Sequence, residues 1–186
     1  MGEGRVKTAF ELAMEKVAEM PALNLEEIRE EHKKESISKG EAIARRYLQN
    51  IKRQTDIKSE IAVFEPEQRG FARNAALQWL SRELSLTQVD ANRHILEGIA
   101  SLNPDITVDS AMIRLNRIID GFQKEIMAAY SLIEKSEINL LKKKGISGSA
   151  VKPNLKHHDV WLTQQTELTT THTGKLDQFQ RTLLPG

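Results

Sequence analysis

Residues 109–144 read DSAMIRLNRIIDGFQKEIMAAYSLIEKSEINLLKKK, and the spacing of their apolar members decides the fold. Met112, Leu115, Ile119, Phe122, Ile126, Ala129, Ile133, Ser136 and Leu140 fall alternately three and four residues apart, which is a heptad seam. The stretch holds no Pro and a single Gly, Gly121. Asp109 stands as an N-cap between Val108 and Ile113, which form a hydrophobic staple. Lys142, Lys143 and Lys144 complement the negative end of the helix dipole before Gly145 stops the helix. A rod of this length spans roughly 54 Å. The predicted fold class is all-α, an antiparallel helical bundle around one long C-terminal helix.

Moving outward toward the N-terminus, Val6, Phe10, Ala13, Val17 and Met20 predict an amphipathic helix over residues 5–20, ended by Pro21. Asn24 and Glu27 form a capping box, with Leu23 and Ile28 as staple, and open a second helix. Its first part is mostly charged, and the pairs Glu30–Lys34 and Glu35–Lys39 suit a solvated face. Gly40 is placed to kink it, and Ala44, Leu48 and Ile51 restore an apolar side. Asp56 to Phe64 fits either a continuation of that helix or a short connector. Pro66 opens a helix over 66–84, with Phe71, Ala75, Ala76, Trp79, Leu80 and Leu84 as its buried side. Thr87 and Asp90 cap a further segment carrying Val89, Ile95, Leu96, Ile99 and Leu102, and Asn103-Pro104-Asp105 turns the chain into the long helix.

Beyond Lys144 the pattern changes. Gly145 to Ser149 is linker-like, Pro153 and Asn154 oppose regular structure, and Thr163 to Thr173 is rich in Thr and Gln. The expected organisation is a bundle domain over residues 1–144, followed at 145–186 by a linker and a largely extended or disordered tail. Val160, Trp161 and Leu162 are available to dock that tail, and Leu176, Phe179 and Leu183 to form one short terminal helix.

Composition narrows the function classes. Twenty-seven basic residues balance 26 acidic ones, and a net charge of +1 gives no global field for steering toward nucleic acid or an anionic membrane. The absence of Cys excludes disulfides and thiolate metal sites and suits a reducing cytoplasm, the expected location. The N-terminal segment is charged and amphipathic, unlike a signal peptide, and Val6 stands where a myristoylation site needs Ser or Thr. No run of eighteen apolar residues exists to span a membrane.

Arg5-Val-Lys-Thr-Ala-Phe-Glu-Leu-Ala-Met-Glu-Lys16 and Lys39-Gly-Glu-Ala-Ile-Ala-Arg-Arg-Tyr-Leu48 resemble a bacterial family of small helical proteins. The likeness covers roughly the first half of the chain and implies a bacterial, cytoplasmic origin. That family has no assigned activity, so the resemblance implies no catalytic or binding residue.

The chemistry-bearing residues are sparse. His94 shares a helical face with Asp90 and Glu97, a set of three that could hold a divalent metal. A bundle di-iron site, however, needs two Glu-x-x-His motifs. The positions three before His32, His94, His157, His158 and His172 hold Arg29, Ala91, Asn154, Leu155 and Thr169. A salt-bridge cluster around His94 is the expectation. In His157-His158-Asp159 adjacent side chains point in different directions, and the Gly145/Gly148 run lacks the Gly-Lys of a phosphate loop. No catalytic, cofactor-binding or metal-binding residue is predicted. Two basic clusters remain: Arg45, Arg46, Lys52 and Arg53, and Lys142 to Lys144 with Lys152 and Lys156. The first is the candidate for phosphate contacts, with an ordinary solvated face as the alternative.

The function expected from these residues is a non-enzymatic interaction or scaffold protein working through helix–helix contacts, as a homo-oligomer or with a heterologous protein. Its contact or core seam would be Met112, Leu115, Ile119, Phe122, Ile126, Ile133 and Leu140, widened by Ile113, Ile118, Met127, Tyr130, Leu132 and Leu141. The alternative is weak nucleic-acid binding through the basic helix faces.

Overall fold

The computed structural model describes residue 8 and residues 25–49, 56–148 and 151–185. Apart from Thr8, the predicted helix over 5–20 lies outside these residues, as do Leu23, the Asn24 cap, Ile51, Lys52 and Arg53. The described residues form six α-helices, one 3-10 turn and no strand, so the protein is all-α. The helices are α1 (Leu25–Gln49), α2 (Ile57–Ala62), α3 (Pro66–Arg82), α4 (Val89–Leu102), α5 (Val108–Lys143) and α6 (Asp159–Arg181), with the 3-10 turn at Leu155–His157.

Gly40 does not break α1, which runs unbroken through it. Its role is closeness: a Cβ at Gly40 would lie 2.2 Å from the carbonyl oxygen of Ala72 on α3. Ala44, Ala72 and Ala76 complete a crossing in which two backbones nearly touch. Contacts advance together along both helices, with Lys33 over the Phe71 ring and Arg45 over Trp79, so α1 and α3 run parallel. The return is made by α2, a separate helix begun by Asp56. The Asp56 carboxylate accepts from the Lys58 N–H at 3.1 Å and from the Ser59 hydroxyl. The Ser59 hydrogen bond, more than any other contact, holds that carboxyl below its usual range. The small face of α3 also moves its larger side chains outward. Ala72, Ala76, Leu77 and Leu80 are buried, whereas Phe71, expected inside, is 41% exposed and Trp79 half-buried.

The expected Thr87 cap is replaced by another device. At α4 the N-cap residue is Gln88, which makes no side-chain cap bond. Instead the Ser85 hydroxyl accepts from the N–H groups of Thr87 and Gln88. Buried Asn92 accepts from the Ser85 N–H at 3.0 Å and donates to the Ser85 carbonyl at 2.8 Å. Those two bonds clasp the start of α4 to the chain leaving α3. Helix α5 likewise starts two residues earlier than an Asp109 cap would place it, at Val108, with Asp109 in its first turn and Thr107 at the cap position. In the turn before it, Asn103 donates through Nδ2 to the Leu183 carbonyl and accepts the Asp105 N–H on Oδ1.

The largest correction concerns residues 145–186. They are not a largely extended tail: Asp159–Arg181 is a 23-residue helix lying along α5. Its buried stripe is Trp161, His172, Leu176 and Phe179, continued by Leu183 beyond its end, and Leu176, Phe179 and Leu183 join the main core. The Thr-rich stretch is compatible with helix because Thr166, Thr169 and Thr171 each donate their hydroxyl to the carbonyl four residues back. Arg114 meets Thr182, Glu125 meets His172 and Glu137 meets His158, so α5 and α6 run antiparallel.

Candidate functional site

The heptad seam of α5 divides between two environments. Leu115 and Ile119 are buried in the main core with Ala111, and Met112 and Phe122 pack partly buried against it. Further along, Ile133 joins Leu155 and Trp161 in a second, smaller cluster, with Ile126 and Ala129 partly buried against it. Leu140, the last seam residue, is 46% exposed. The division follows from length, since 36 residues make a rod of roughly 54 Å and the 14 residues of α4 only about 21 Å. Past Phe122, α5 and the N-terminal half of α6 therefore form a two-helix arm.

Three side-chain contacts join the arm. The rings of Tyr130 and Trp161 meet edge to face, 5.1 Å between centroids. His158 takes the N-cap of α6, accepting the Trp161 N–H on Nδ1 at 3.4 Å, while its Nε2 lies 3.0 Å from a Glu137 oxygen. His172 is 1% exposed, with Nε2 3.1 Å from Glu125 Oε2 and its ring tilted against Phe122. Room for that ring comes from Gly121, where a Cβ would stand 3.4 Å from His172 Cε1. The hydrogen bond from His172 holds the Glu125 carboxyl below its usual range, and the Lys175 charge lowers it further. The Nδ1 of His172 is buried with no hydrogen-bond partner among the described residues.

On its outside the arm is unusually apolar. Met127 is 72% exposed and Leu132 69%, and Tyr130, Leu140, Val160 and Leu162 are exposed as well. Tyr130 follows Met112 by five helical turns, so it continues along the arm the strip that Met112 begins in the main core.

The other residues singled out in the sequence lie elsewhere. Arg46 pairs with Glu60 at 2.6 Å and Arg45 lies over Trp79. Both described members of the basic cluster thus have partners within the chain. His94 stacks on Tyr47, 4.3 Å between centroids and 15° between planes, and Glu97 lies 3.5 Å from its Nδ1. The Tyr47 hydroxyl donates to the His94 carbonyl at 3.1 Å. Burial, with the nearby Glu97 charge, pushes the Tyr47 phenol up to about 12. Asp90 is exposed, and among the described residues no three His, Asp or Glu side chains converge as a metal ion would require. His157 and Asp159 are exposed, so of that triplet only His158 has a structural role.

His172 and Glu125 were not singled out as a pair by sequence reasoning. The signal was present in the stripe Trp161, Leu168, His172, Leu176, Phe179, Leu183, in which His172 occupies a core position. Among the described residues no helix is long and apolar enough to cross a membrane. No family model, curated protein or solved structure matches the chain.

Proposed function

We propose that the protein is a non-enzymatic interaction module acting through helix–helix contacts, and that its arm pairs with the arm of a second copy. The observation that carries this reading is the exposed apolar surface on a two-helix hairpin: Met127, Tyr130, Leu132 and Leu140 on α5, Val160 and Leu162 on α6. Two antiparallel helices with a heptad seam are half of a four-helix bundle, and a two-fold axis supplies the other half from an identical chain. The exposed face of α1 is built differently, with Lys33–Glu30 and Lys39–Glu35 pairs facing solvent. Each large apolar side chain fully buried in such a contact contributes roughly 1.5–3 kcal/mol, which favours association over continued exposure. A reducing cytoplasm is the compartment that suits a chain without Cys.

Size-exclusion chromatography with light scattering tests the reading. The full chain is expected to elute with the mass of a dimer, and Met127→Lys combined with Leu132→Lys to give a monomer of unchanged helicity. A strict monomer at high micromolar concentration would reject self-association.

A further inference from the structure

Nearer the main core, α5 and α6 flank an open groove of about 470 Å³ lined by Arg114, Arg117, Ile118, Lys175, Gln178, Phe179 and Thr182. Ile118 and Phe179 are its apolar members; Arg114, Arg117, Lys175 and Gln178 are its donors, and the Thr182 hydroxyl gives its proton to the Phe179 carbonyl. Three of the donors are permanent or near-permanent cations at neutral pH, contributed by both helices. None of Arg114, Arg117 and Lys175 lies within ion-pair distance of a carboxylate among the described residues, whereas Arg46, Lys33 and Lys39 all do. The Glu125 carboxylate senses Lys175 while it is held by His172, and exposed Asp120 follows Arg117 by three residues on α5 without forming an ion pair with it. Asp177 faces another groove, beside Arg82 and Arg181.

Arg114 is also held in place. Its Nη2 donates to the Thr182 hydroxyl at 3.1 Å, and its guanidinium lies 5.2 Å from the Phe179 ring centroid. A planar fork fixed this way loses less side-chain entropy on meeting an anion than a free one does. In a chain of net charge +1, three cations without carboxylate partners in one groove are a local concentration of positive potential.

The geometry points to a binding site for a small phosphate-bearing anion in this groove, with Arg114, Arg117 and Lys175 as its charged contacts and Gln178 as a neutral donor. Because Arg114 already lies over Phe179, the ring offers no free face for a nucleobase, and recognition falls on the phosphates.

Isothermal titration of the full chain at low ionic strength tests the site, using inorganic tripolyphosphate as one probe and a nucleoside triphosphate as the other. Saturable binding of both with similar affinity is expected. Lys175→Glu and Arg117→Glu, both at exposed positions, should each weaken it by about tenfold, or ~1.4 kcal/mol. Arg45→Glu, on a distant helix, should leave it unchanged. Absence of saturable tripolyphosphate binding, binding of the nucleotide alone, or equal weakening by Arg45→Glu would overturn the assignment. Circular dichroism of each variant separates a lost site from a lost fold.

Discussion

Leu115 and Ile133 belong to one heptad seam on one helix, yet they sit in different surroundings. Leu115 is completely buried within a cluster that draws Leu80, Leu96, Ile99 and Phe179 from three other helices. Ile133 reaches burial with Leu155 and Trp161 alone as its buried partners, and residues to either side of it on α5, Met127 and Leu132, face outward. The contrast shows what a heptad pattern means here. It states that a helix face has a partner along its whole length; how many layers enclose that face depends on how far the neighbouring elements reach. Helix α4 ends early, and the arm is the remainder.

The contrast is sharpest under truncation. Leu96→Ala, at a side chain with no exposed surface, should lower the unfolding free energy by roughly 2–5 kcal/mol, while Ile133→Ala should fall at or below the bottom of that range. Equal shifts in denaturation midpoint at constant slope would mean that the two clusters are enclosed alike. A second prediction concerns the α1–α3 crossing. Gly40→Ala puts a methyl group against backbone, which cannot rotate away, so the cost should be about 1–3 kcal/mol or more. Gly98→Ala is milder in kind, because the atom in its path, Tyr47 Cε1, belongs to a movable side chain. Thermal unfolding of the two variants side by side checks the ranking.

How far the sequence disclosed this arrangement depends on the type of signal. The long helix, the Pro66 start and the Asn103 turn follow from periodicity and local chemistry, and the structure has them within a residue or so. Gly40 reads as a kink in the sequence because one sequence cannot show that another backbone passes beside it. Phe71 reads as an inside residue for the same reason: its burial depends on which face of α3 the Ala residues present to α1. The C-terminal helix is obscured by its many Thr, whose weak helix propensity is overridden when a stripe packs on a neighbour. His172 added to that, since a polar residue at a core position breaks an apolar stripe unless its partner Glu125, 47 residues away, is known. The groove cations were dispersed between Arg114 and Lys175, and only antiparallel pairing of α5 with α6 unites them.

The smallest expected effect is electrostatic and confined to the junction of core and arm. The Glu125 carboxyl is depressed below its ordinary 4.5 in the folded chain. Its contribution is therefore fully present above that value and is lost as pH falls through the lowered folded value. Wild-type stability should decline across that acid window more steeply than that of Glu125→Gln, which has no carboxyl to protonate. Parallel pH profiles for the two proteins would show that the His172 contact does not stabilise the folded state.

We propose that the arm completes its core with a second copy, whereas the main core of the described residues is enclosed within one chain. Amide hydrogen exchange followed as a function of protein concentration addresses it directly. Protection over residues 126–140 should rise with concentration as the paired state fills, while residues 95–99 exchange at one slow rate throughout. Arm protection that stays constant from dilute to high micromolar protein would contradict the account.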